Sequence, residues 1–189
     1  MDRRKFTGVS ALGSLLLLLP AWASCTWTDV YATLQKALPA LLKAFSAILD
    51  ILIAAGVIPA SPGGVILMAI LKVKAGFADL SQAIADYLKA AAANKPTFLG
   101  KLVAALQTVQ ADIVEFWNNL SIPSPAIAAL VQSLLGIILG TLAGYAQKLQ
   151  PAIHSMAMPF PVAPKARDEQ EFRNDFNALL PAPFEKYAL

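Results

Sequence analysis

One cysteine, one histidine and a thin supply of charge are the scarcities of this chain, and each removes a class of protein. A single thiol cannot build a disulfide framework, a cysteine-based zinc site or an iron–sulfur cluster. Charged residues are 14% of the 189 positions, where an ordinary soluble domain has about 25%. Hydrophobic residues are 57%, the reverse of a disordered chain, which is charge-rich and poor in apolar side chains. Ten glycines, without a three-residue repeat, exclude collagen-like and linker sequences. The length allows one domain with a real core.

Catalytic and cofactor motifs are also missing. There is no phosphate-binding loop, no dinucleotide fingerprint and no clustered metal ligands. His154 has no carboxylate close to it in sequence. Asp112 and Glu115 share a helical face, and Asp79 and Asp86 recur seven apart, but the Glu-x-x-His pairs of carboxylate-bridged metal bundles are absent. Met68 reads as packing. The expectation is a chain with no catalytic residues, metal or cofactor, and not an enzyme.

What is present begins with an address. Asp2-Arg3-Arg4-Lys5-Phe6 is a charged start, Ala11 to Leu19 a short apolar stretch, and Pro20-Ala21-Trp22-Ala23 a small-residue end of cleavage type. The stretch falls short of the about 20 residues of a spanning helix. Arg3-Arg4-x-Phe6 resembles the twin-arginine export signal, with Asp2 and Thr7 at positions where that pattern has a hydroxyl residue and leucine. Ala23-Ser24-Cys25 resembles the end of a bacterial lipoprotein box, which implies lipidation of Cys25. Cleavage after Ala23, or an uncleaved signal acting as an anchor, are the other fates of this segment. The expected location is therefore the periplasm or cell envelope. Residues 1–25 hold three of the fifteen basic residues and one of the twelve acidic ones, so the remainder is nearly neutral. No basic stripe is left for nucleic acid.

Four helical segments follow, separated by proline-bearing breaks. In the first, Leu34, Leu38, Leu41, Phe45, Ile48 and Leu52 alternate steps of four and three. Ile66, Ile70, Val73, Phe77, Leu80, Ile84 and Tyr87 do so in the second, and Leu99, Leu102, Leu106, Val109, Ile113, Phe116 and Leu120 in the third. These are the buried seams of packed helices. Lys36, Lys43 and Asp50 recur on the opposite face of the first. Pro39 either kinks that helix or marks its first turn. Ser61-Pro62 and Ser124-Pro125 each place a capping hydroxyl before a proline suited to a first helical position, and Asn94-Lys95-Pro96-Thr97 joins the second segment to the third. Such short loops predict an all-α chain: an antiparallel up-down-up-down four-helix bundle over residues 26–150. A proline-rich tail, 151–189, follows, with a short helix at about 167–180.

The fourth segment, from Pro125 to Gln150, has a seam at Val131, Leu135, Ile138, Leu142, Tyr145 and Leu149 and a second apolar side at Leu130, Leu134 and Ile137. Gly136, Gly140 and Gly144, spaced by four, form a stripe that allows another helix to approach closely. Length permits this helix to span a membrane; Gln132, Ser133 and Thr141 favour a central bundle helix. Charges are absent from Ile51 to Leu71 and from Phe116 to Gln147. In an antiparallel bundle both loops within these stretches lie at one end. That apolar end, with Val57, Ile58, Leu120 and Ile122, is the expected docking tip. The expected partner is an envelope protein or a membrane surface, with a homo-oligomer or larger complex as further options. A membrane-active protein inserting an apolar hairpin, in the manner of pore-forming or holin-like proteins, is the alternative.

Overall fold

The structure is a computed structural model that describes residues 27–150 and 163–189. Among these residues it is all-helical, without a strand. The α-helices are α1 (Trp27–Ala54), α2 (Gly64–Lys89), α3 (Lys95–Asn118), α4 (Pro125–Leu149) and α5 (Glu169–Ala178). Short 3-10 helices cover Ala92–Asn94 and Ala182–Tyr187. α1 packs on α2 and α4, α3 packs on the same two helices, and α5 lies against α1 and α4. The final 3-10 helix also rests on α1.

The four-and-three spacing becomes the core. Every seam position of α1 and α4 is buried, and in the second and third seams only Ile66 and Leu99, near the helix starts, and Leu120, just beyond α3, are half-buried. Burying a side chain of this size stabilises by about 1.5–3 kcal/mol, so the seams are the main source of cohesion. Phe45 meets Phe116 edge to face, centroids 5.2 Å apart, tying α1 to α3 through the centre. Lys36, Lys43 and Asp50 stay exposed.

The helix ends differ in how they are made. α1 runs through Pro39 rather than starting there; the proline lies on the exposed side, where a carbonyl left without its N–H partner meets water. Its C-terminus closes when Val57 N–H donates to the Leu52 carbonyl and Gly56 N–H to the Ile53 carbonyl, both at 2.9 Å. This paired motif needs a left-handed residue, and Gly56 supplies it at φ 69°. α2 begins at Gly64, later than Ser61-Pro62 suggests, and no side chain caps it. Ser124 does cap α4, accepting from Ile127 N–H, with Pro125 in the first turn. In the tail α5 is shorter than expected, and Asp168 caps it by accepting from Glu171 N–H at 2.8 Å.

α4 is the most enclosed element. Every residue from Leu134 to Ala146 is buried, so no side of that stretch faces solvent. A helix apolar all round has to be covered all round. Here α1, α3 and the C-terminal segment divide that task.

Candidate functional site

The densest polar arrangement among the described residues is where the C-terminal segment crosses α4. Residues 163–168 run extended along the helix, and Lys165 N–H donates to the Gly140 carbonyl at 2.9 Å. A Cβ on Gly144 would stand on the backbone of Lys165 and Ala166, so only glycine permits this approach. The Tyr145 hydroxyl donates to the Arg167 carbonyl at 2.6 Å. Arg167, buried against α4, donates from Nε to Asp175 Oδ2 at 2.6 Å and from Nη1 to Thr141 Oγ1 at 3.3 Å. Phe172, Phe176 and Leu180 then enter the same core as the seams of α1 and α4. An apolar anchor is thus combined with a buried guanidinium whose partners all lie within the segment or on α4.

Gly136, Gly140 and Gly144 are all buried on α4, and what lies against Gly144 is extended backbone rather than a helix. Ile58, expected at the docking tip, is 3% exposed and belongs to the core. The reason is local: the closing motif of α1 turns the chain back at Gly56 and carries Val57 and Ile58 onto the helix they follow. Val57, Leu120 and Ile122 are half-buried against that core. Arg3, Arg4, Phe6, Cys25 and His154 lie outside the described residues.

Exposed apolar side chains occur elsewhere. Val65, Met68 and Leu71 follow one another along α2 at three-residue spacing, with Leu67 beside them; Val65 is 64% and Met68 58% exposed. Sequence reading missed this face because Ile66 and Ile70 accounted for the seam and Met68 was read as packing. Its chain-order neighbour Lys72 donates to both carboxylate oxygens of Glu115 on α3, at 2.7 and 2.9 Å. Asp112, one turn back on α3, is half-buried, and this burial together with the Glu115 charge raises its pKa above 3.8. No group of three or more histidine, cysteine, aspartate or glutamate side chains among the described residues is placed to hold a metal ion.

Comparison of the chain with known protein families, characterised proteins and solved structures found no match.

Proposed function

We propose that this is an exported helical-bundle protein of the bacterial cell envelope with a structural or interaction role, acting without catalysis or a cofactor. The contacts of α1 with α2, α2 with α3, α3 with α4 and α4 with α1, across short connections, support an antiparallel up-down-up-down bundle. The export-type N-terminus and the resemblance of Ala23-Ser24-Cys25 to a lipoprotein box support the location. The observation that carries the interaction role is the exposed Val65, Leu67, Met68 and Leu71 face of α2, continuous in sequence with a stretch free of charge. Neighbouring exposed apolar side chains of this size are a common mark of a contact surface.

The test uses the full chain expressed with its own N-terminus. Fractionation and intact-mass analysis should find the protein in the envelope, with an acyl chain that Cys25→Ser removes if the lipoprotein route is used. Met68→Glu with Leu71→Lys should abolish envelope association of the Cys25→Ser protein without lowering its melting temperature. Retention in the cytoplasm, or association unaffected by both changes, overturns the reading.

A second reading, insertion of an apolar pair of helices into a membrane, is favoured by one specific observation. Residues Asp29–Ala54 and Pro125–Leu149 are long and apolar enough to cross a bilayer, although more than half of the most apolar 18-residue stretch of each is buried in the fold, as in core helices of soluble proteins.

A further inference from the structure

Among the described residues, the two helices with membrane-compatible length and composition are the same two that the C-terminal segment contacts. We infer that residues 163–189 form a releasable strap over an α1/α4 face, and that the occupant replacing the strap is bilayer hydrocarbon. This inference rests on the second functional reading and is independent of the α2 face.

Three observations carry it. α4 has no charge before Lys148, and α1 confines Lys36, Lys43 and Asp50 to its exposed side, so the covered surface is one that hydrocarbon tolerates. α4 has no proline beyond its first turn and so satisfies its backbone internally, α1 leaves the carbonyl freed by Pro39 on its exposed side, and at 25 and 26 residues both exceed the length such a layer needs. The strap is amphipathic: Phe172 and Phe176 face inward, whereas Gln170 and Asn174 are exposed and Glu169, Glu171, Arg173 and Asp175 are partly so. It therefore gives water a polar surface in place of α1 and α4.

The attachment is also separable. Apart from apolar packing, the strap is held to α4 by the Lys165–Gly140, Arg167–Tyr145 and Arg167–Thr141 hydrogen bonds. The Arg167–Asp175 pair lies within the strap and leaves with it, so release strands no buried charge on α4. Residues 151–162, if drawn out, reach about 40 Å, enough for the strap to leave α4 while remaining joined to the chain.

The experiment places a protease site between residues 151 and 162 of the exported chain carrying Cys25→Ser, Met68→Glu and Leu71→Lys, which neither a lipid nor the α2 face holds to a membrane, and adds Phe176→Ala, so that the cut strap separates. Vesicles of zwitterionic phosphatidylcholine, which exclude charge attraction, are present during cleavage, and flotation reads the result. The uncut protein should remain soluble; the cut protein should move to the floated fraction with α1–α4 helicity retained by circular dichroism. Excess synthetic peptide spanning 163–189 should reverse the shift. Three outcomes overturn the inference: the released protein stays soluble, it precipitates equally with and without vesicles, or it loses its helicity. The last would show that α1–α4 do not keep their helices without the strap. Failure here leaves the envelope reading untouched, because that reading is tested on uncleaved protein through Met68 and Leu71.

Discussion

α2 and α4 are almost equal in length and carry the same four-and-three seam, yet they occupy opposite environments. α2 buries a narrow stripe and exposes Val65, Met68, Leu71 and its lysines, whereas α4 is enclosed from Leu134 to Ala146. The seam alone therefore does not set how deeply a helix is buried. The remaining faces do, and on α4 those faces hold small and apolar residues that need a cover. The cover comes from outside the four long helices. Phe172, Phe176 and Leu180 close the same core.

The contrast between the two helices has measurable consequences. The largest effect is expected at Phe176→Ala, which should cost about 3–5 kcal/mol in chemical denaturation, as for other buried phenylalanines. A loss well below that of Phe77→Ala on α2 would mean that Phe176 packs less tightly than its burial indicates. Next comes Gly144→Ala, expected to destabilise by about 1–3 kcal/mol because the new methyl meets backbone that cannot turn aside. Gly100 on α3 has open space around its Cβ position, so Gly100→Ala should stabilise by about 0.5–1 kcal/mol through helix propensity. Thermal melts of the two glycine variants side by side test whether the stripe is a packing feature; shifts of the same sign would say it is not.

A smaller effect belongs to Asp112. Because burial, reinforced by Glu115, raises its folded pKa above 3.8, the folded state holds the proton to higher pH than the unfolded state does. Its contribution to stability is fully present below the unfolded value and is lost as pH rises through the folded one. Asp112→Asn should therefore be slightly more stable than the parent at pH 7, the gain being held down by solvent screening and by the nearby Lys72 charge. The advantage should vanish as pH falls to about 3, which a pH series of melts will read. Least of all, Met68→Lys should stay within about 0.5 kcal/mol, since the side chain already faces water. A larger loss would show that α2 has a covered outer face like that of α4.

Much of the helical layout was legible in the residues. The seam positions of α1 and α4 are all buried, and Ser124-Pro125 opens α4, because helical periodicity and capping act over a few residues. The start of α2 was less legible: Ser61-Pro62 has the composition of a cap, but the glycines that follow let the chain continue as a loop to Gly64. At the apolar tip, the burial of Ile58 was not legible for a similar reason. A stretch without charge marks where water is avoided, and whether the cover is a partner or the chain's own core depends on the turn at Gly56.

The candidate site was only half visible. The glycine stripe announced a close approach, but a helix and an extended segment make the same demand on a glycine. Arg167 carried no signal at all, since a basic residue among prolines reads as solvated until two hydroxyls and a carboxylate converge on it.

Local order thus belongs to the sequence by itself: which stretches are helical, which side of each is apolar, and where charge is withheld. Those follow from backbone geometry and side-chain spacing within a few turns. Only the tertiary structure decided that residues 163–168 lie on the stripe of α4, that Arg167 is buried and that Ile58 is core while Met68 is not. Such pairings join residues distant in sequence. The apolar surfaces that compete for cover resemble one another chemically, and shape and chain length determine which of them meet.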